Sequence, residues 1–111
     1  MDIIFKTQKL AKIFNSEKAL RKEYGADIAK FIKHRMMVLK AAPVLGDVSY
    51  RPPERRHELK GARKGTFAVD IRHQYRLIFR PNHNPLPRKE DGGLDLKRIT
   101  AIIILGVEDY H

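Results

Sequence analysis

The chain has 111 residues, enough for one domain around one core, and no cysteine, which excludes disulfides, thiolate zinc sites and thiol catalysis. Its 23 Lys+Arg against 13 Asp+Glu leave a formal net charge of +10. That surplus favours a polyanionic partner, nucleic acid before an acidic protein or an anionic membrane. A hydrophobic content of 42% is that of a globular domain, not of a disordered chain.

No stretch approaches the roughly 20 apolar residues of a membrane span. Met1-Asp2-Ile3-Ile4-Phe5 lacks the basic flank and cleavage site of a signal peptide. The expectation is a soluble, cytoplasmic, single domain over 1–111, with no membrane partner.

Residues 2–5 are short and apolar and read as a first strand. Leu10, Ile13 and Phe14 then recur at helical spacing, and Thr7 or Ser16 can cap a helix that starts after it. From Ser16 the helical pattern runs to about Ala41, with Leu20, Tyr24, Ala29, Ile32, Met36 and Leu39 able to share one broad face. Gly25 is a candidate joint within it, since glycine costs about 1 kcal/mol in a helix interior. Lys30, Lys33, His34, Arg35 and Lys40 read as the solvated outer face of this helix. Pro43 ends it.

Tyr50-Arg51-Pro52-Pro53 is a rigid, extended turn. Phe67, Val69 and Ile71 alternate on one face, Arg72-His73-Gln74 is a turn-sized link, and Tyr75, Leu77 and Phe79 alternate again opposite Arg76, Ile78 and Arg80. An antiparallel hairpin is the simplest reading. Residues 81–98, with Pro81, Pro85, Pro87 and Gly92-Gly93, read as a long flexible loop. The β-branched run 99–105 reads as a central strand buried on both faces. After Gly106 the chain turns polar. The order predicts an α+β domain with two N-terminal helices packed on a small, mostly antiparallel, twisted sheet.

His34, His57, His73, His83 and His111 do not fall at paired ligand spacings, so neither a metal nor another cofactor is expected. Gly61-Ala62-Arg63-Lys64-Gly65 lacks the Lys-Ser/Thr ending of a phosphate loop. The informative cluster is Arg55, Arg56, His57, Lys60, Arg63 and Lys64, followed by Arg72, Arg76 and Arg80 on the hairpin. On charge alone it serves equally as a polyanion-binding patch or as a solubilising surface.

RNA is cut without metal when its own 2′-OH attacks the adjacent phosphate. The protein must then supply a base, an acid, and cations for the transition state. His57 in the basic run and His111 at the chain end suit the proton transfers. Arg76 and Lys60 suit the phosphate, and Tyr110 suits stacking on a base. Each taken singly is also an ordinary surface residue.

Taken together, Arg51-Pro52-Pro53-Glu54-Arg55-Arg56-His57-Glu58-Leu59-Lys60-Gly61, the segment Gly65 to Ile71, Tyr75 to Arg80, and the ending Val107-Glu108-Asp109-Tyr110-His111 closely resemble the HigB-type toxins of the RelE/ParE superfamily. The resemblance extends over nearly the whole chain. It implies a type II toxin that cuts mRNA in the A site of the 70S ribosome and is neutralised by a HigA-like helix-turn-helix antitoxin. It also implies active-site roles for His57, Asp109, Tyr110 and His111. Lys60, Arg63 and Arg76 are implied as phosphate contacts, and Arg56 and Arg80 extend the basic surface toward the RNA. Either histidine can be base or acid. The arrangement preferred here has His111 as base, oriented by Asp109, with His57 nearer the leaving oxygen. The 82–98 loop is longer and richer in proline than the family pattern, and the last strand is more apolar. Alternative functions are a ParE-like action on DNA gyrase, which needs neither His57 nor a terminal Tyr-His, and a non-catalytic basic module that binds nucleic acid or the ribosome.

Overall fold

The computed structural model describes residues 1–110 and begins with a strand, β1 (Asp2–Phe5), before three helices. These are α1 (Gln8–Phe14), α2 (Glu17–Tyr24) and α3 (Ala26–Ala41). The sequence suggests two helices, and the third arises because each junction carries its own signal. The Thr7 hydroxyl accepts from the Leu10 amide at 3.1 Å and opens α1. Ser16 does the same for Ala19 at 3.1 Å and opens α2. Caps of this kind contribute about 1 kcal/mol each. Gly25, at φ +86°, turns the chain between α2 and α3 in a conformation that only glycine adopts cheaply. At the far end of α3, the Met1 ammonium donates to the carbonyls of Leu39, Lys40 and Ala42, a cation on the negative end of the helix.

Four further strands follow among the described residues: β2 (His57–Glu58), β3 (Phe67–Arg72), β4 (Tyr75–Pro81) and β5 (Ala101–Asp109). They form one sheet with β1 in the order β1-β5-β4-β3-β2, antiparallel except for the parallel β1–β5 pair. The architecture is the expected α+β arrangement. The hairpin turns through His73, at φ 55°, and Gln74.

Alternation assigns the two faces of the sheet. Phe67, Val69, Ile71, Leu77, Phe79, Ile102 and Ile104 are buried with Leu20, Ile32 and Leu39 of the helices in one core. Phe67 and Phe79 lie directly opposite in the ladder, with ring centroids 6.1 Å apart. Burying side chains of this size stabilises by roughly 1.5–3 kcal/mol each, which fixes the register, since a one-residue slip would turn them all to the other face. The opposite face carries a smaller apolar floor of Leu59, Ala68 and Ile78, with Leu105 packed against it. That face is free for polar groups.

Three expectations change. Arg35 is not on a solvated face: it is buried, because its guanidinium reaches β3 and donates from Nε to the Asp70 carbonyl (2.6 Å) and from an Nη to that of Ile71 (3.1 Å). Residues 82–98 are not a featureless loop. Arg88 bridges Leu94, a 3-10 turn spans Leu96–Arg98, and Leu94 and Leu96 pack on the core. Finally, β5 continues past Gly106 to Asp109, so the polar end of the chain is a strand paired with β4.

Candidate active site

The register of three strands builds the centre of the polar face. Asp70 of β3 pairs with Arg76 of β4, and Arg76 pairs with Glu108 of β5. Residues directly opposite in an antiparallel ladder leave the sheet on the same side. Asp70, Arg76 and Glu108 therefore form one row on the face away from the helices. His57 of β2 is opposite Ala68, whose side chain belongs to the floor of that same face. The basic run that carries His57 has no strand pattern in the sequence, yet His57 is held in the sheet's edge strand, a position that a two-residue ladder leaves no periodicity to reveal.

The chain before His57 is bound to the row. The Arg55 guanidinium grips Asp70 with two bonds, Nε to Oδ2 at 2.6 Å and an Nη to Oδ1 at 3.0 Å. Its backbone sits at φ 47°, an unusual conformation for a residue with a side chain, and the Asp70 amide bonds the Glu54 carbonyl at 2.8 Å. The Arg55 carbonyl in turn lies 2.8 Å from Nδ1 of His57. A carbonyl only accepts, so Nδ1 carries the proton. In the neutral ring Nε2 then has the free lone pair, and in the imidazolium it has a transferable proton. Asp70, Arg55 and His57 are thus linked in series, and the ring is aimed by a backbone atom.

On the other flank, the 3-10 turn Gly61–Arg63 folds over the sheet. Arg63 binds Glu108 through both carboxylate oxygens, at 2.9 and 2.6 Å, and lies 3.4 Å from the Tyr110 hydroxyl. The Tyr110 amide bonds the Gln74 carbonyl at 2.7 Å, which brings its ring over the Arg76 guanidinium at 3.9 Å. Arg76 also lies 3.6 Å from Asp70. The Asp70 bond raises the Arg55 pKa, and the Glu108 bond raises that of Arg63, so both guanidiniums stay charged at any working pH.

Of the residues anticipated from sequence, His57, Arg63, Arg76 and Tyr110 share this face. Asp109 is opposite Tyr75, so alternation puts it on the other side of β5 from Glu108. Lys60 precedes the Gly61–Arg63 turn and is exposed, and Arg80 is exposed two steps beyond Ile78 on β4. Arg56 points elsewhere: it donates to the Val48 carbonyl at 2.8 Å, and burial lowers its pKa. Arg72 leaves the expected patch altogether, lying over Phe31 at 4.7 Å and 3.3 Å from Asp27. His111 lies outside the described residues. Sequence reasoning missed Asp70 and Glu108, and it placed Arg55 in the basic cluster without the carboxylate it pairs with. Their pairing depends on long-range register, although Asp70 and Glu108, acidic residues within basic or apolar runs, are a readable hint.

A site with a positioned imidazole, an aromatic ring and several guanidiniums can bind a phosphate, stack a base and exchange a proton. Among the described residues no three His, Asp or Glu side chains gather as metal ligands. Among them, too, no helix is long and apolar enough to cross a membrane.

No protein-family model matches the chain, and no curated protein matches it. Solved structures do. A YoeB/ParE toxin from Agrobacterium tumefaciens is 12% identical with a TM-score of 0.58, with all of this chain and 99% of the other covered. YoeB in the YoeB–YefM complex from Staphylococcus aureus is 14% identical with a TM-score of 0.55, over 100% and 97% of the two chains. The YoeB dimer from that organism gives 14% and 0.56 over the same shares. The fold of this chain is that of the YoeB/ParE-type toxins, along its whole length.

Proposed function

We propose that this chain is the toxin of a type II toxin–antitoxin pair, a HigB-like member of the RelE/ParE superfamily, and that it cuts mRNA on the ribosome. The observation that carries the reading is the sheet face on which His57, Arg76 and Tyr110 converge, with Nδ1 of His57 tied to a carbonyl. The end-to-end likeness to YoeB-type toxins supports it, as does the net charge of +10.

In this mechanism a base removes the proton from the 2′-OH, and the 2′ oxygen forms a bond to phosphorus. The bond from phosphorus to the 5′ oxygen breaks, and that oxygen takes a proton from an acid, leaving a 2′,3′-cyclic phosphate and a 5′-OH. His57 supplies the proton through Nε2, His111 accepts one, and Asp109 orients the chain end. Arg76, with Lys60 and Arg63, neutralises the charge that builds on the phosphate. Tyr110 stacks on a base while its ring rests on Arg76, and Arg80 guides the strand along β4. The partners are a HigA-like helix-turn-helix antitoxin and the A site of the 70S ribosome, in the cytoplasm.

The test is induced expression in a bacterial host, with growth followed and total RNA mapped by primer extension. Wild type arrests growth and yields cuts within translated frames, and His57→Ala does neither while remaining folded by circular dichroism. Growth arrest by both proteins with intact mRNA and DNA damage would instead assign a gyrase-directed toxin. Full activity of His57→Ala would remove the histidine from the chemistry.

A further inference from the structure

Asp70 is bound on three sides. Its amide donates to the Glu54 carbonyl at 2.8 Å, and its own carbonyl accepts from Nε of the buried Arg35 at 2.6 Å. Its carboxylate takes the Arg55 guanidinium through both oxygens, at 2.6 and 3.0 Å. Arg76 approaches the same carboxylate only to 3.6 Å. The two cations are therefore not equivalent. Arg55 is fixed by a two-bonded fork, while Arg76, with one longer contact, is the one able to turn to a phosphate.

The Arg55–Asp70 pair adds little to stability on its own, because its side chains are 40% and 33% exposed and solvent screens them. What it fixes is a backbone. Arg55 sits at φ 47°, a conformation that a residue with a side chain keeps only where its surroundings determine it. Besides the fork to Asp70, the Arg55 amide donates to the Arg51 carbonyl at 2.9 Å. Arg56 is tied as well, its amide to the Ser49 carbonyl at 2.9 Å and its Nε to that of Val48 at 2.8 Å. Between these ties the Arg55 carbonyl has one direction to point, and 2.8 Å along it lies Nδ1 of His57. A neutral histidine side chain in water carries its proton mostly on Nε2. The carbonyl reverses that preference, since the nitrogen beside it must donate.

We propose that Asp70 is a positioning residue for the proton transfer: through Arg55 it holds the His57 ring with Nδ1 on the carbonyl and turns Nε2 to the substrate. The role rests on the nuclease reading, in which Nε2 of the imidazolium gives its proton to the 5′ oxygen as the bond from phosphorus to that oxygen breaks. The neutral ring left behind is the Nδ1–H form, the one the carbonyl stabilises, so the clamp favours the step itself. Arg55 thereby leaves the group of cations that meet RNA. Arg76 serves the phosphate, and Arg55 serves the acid. Without the carboxylate the fork is lost, Arg55 relaxes, and its carbonyl swings away from Nδ1.

The experiment uses the full chain, labelled with the heavy nitrogen isotope, and long-range proton–nitrogen correlation spectra at about pH 8, where an ordinary histidine is neutral. The His57 ring signals are those absent from His57→Ala. Wild type should show the Nδ1–H tautomer at His57. Asp70→Asn keeps the shape and loses the charge, and Arg55→Gly accepts the same φ without a guanidinium; both should move the ring towards Nε2–H. Arg55→Lys, a cation without the fork, should fall between. On programmed ribosomes Asp70→Asn should lower the single-turnover rate at saturating protein by about 10²-fold, the lower end of what a general acid contributes. The concentration giving half that rate should not rise, since Arg76 keeps its charge and is relieved of a competing carboxylate. An Nε2–H tautomer in wild type, or an Nδ1–H tautomer that persists in both variants, would overturn the proposal. So would a full rate in Asp70→Asn, or a loss seen only in the half-saturating concentration. A chain whose His57 responds as described but which cuts no RNA would sink the nuclease reading and leave the Asp70 clamp standing.

Discussion

Replacing Arg35 by methionine removes two donors from the interior and leaves the aliphatic stem of the side chain in place. Arg35 is 7% exposed, and its guanidinium bonds the carbonyls of Asp70 and Ile71 at 2.6 and 3.1 Å. These carbonyls flank the point where the β3–β4 register shifts, between Asp70 and Arg72. Hydrogen bonds to a charged group contribute about 1.5–3 kcal/mol each. Methionine returns part of that, because a buried guanidinium also carries a desolvation cost. The expected loss is about 2–4 kcal/mol, a large share of the roughly 5–15 kcal/mol that holds a domain together. Equilibrium unfolding in urea, at unchanged slope, is the assay. Arg35→Lys should recover less than half of the loss, since one ammonium cannot serve two carbonyls with the geometry of the planar fork. The same substitution loosens Asp70, and through it Arg55 and His57, so activity should fall further than the unfolded fraction accounts for. A midpoint for Arg35→Met within about 0.5 kcal/mol of wild type would refute the reasoning, because that is the range of ordinary surface changes.

The remaining predictions concern the sheet face and one helix. Arg76→Ala removes a cation from the phosphate site and should slow single-turnover RNA cleavage by about 10²–10³, with unchanged thermal stability within a degree or two. Glu108→Gln frees Arg63 from the carboxylate that shares it with the phosphate, so RNA affinity measured by fluorescence anisotropy should rise at low salt and fall more steeply as salt increases. Its effect on folding should be small, because the Arg63–Glu108 pair is about two-fifths exposed on both sides. Tyr24 is raised in pKa, first by burial and then by Glu23. Its neutral form is therefore favoured in the folded chain, and the stability it contributes is present below pH 10 and lost as the pH rises beyond. Absorbance titration at high pH should show a late-ionising phenol, and Tyr24→Phe should delete that component.

Much of the fold is legible in the sequence, for reasons that are local. The hydroxyls of Thr7 and Ser16, the freedom of Gly25, and the alternations 67–71 and 75–80 act within a few residues of themselves, and the structure uses each as read. What escapes is set by partners distant in the chain. Arg35 sits among Lys30, Lys33 and Lys40 and differs from them only because β3 passes beneath it. His57 belongs to a strand of two residues, too short for any period. The acidic side chains of Asp70 and Glu108 acquire their meaning from the β3–β4–β5 register, which pairs each with Arg76 and then with Arg55 or Arg63. The net positive patch is correspondingly smaller than the sequence suggests: Arg55 and Arg63 are already paired with carboxylates, Arg56 serves a carbonyl, and Arg72 stays with α3.

The most direct test of the central claim is a single-turnover reaction on 70S ribosomes programmed with a 5′-labelled mRNA and an empty A site, with the new ends then mapped. The expected result is a cut within the A-site codon, a 2′,3′-cyclic phosphate on one product and a 5′-OH on the other, with the reaction lost in His57→Ala and slowed by about 10²–10³ in Arg76→Ala. An uncut message, or products ending in a free 3′-OH, would contradict it.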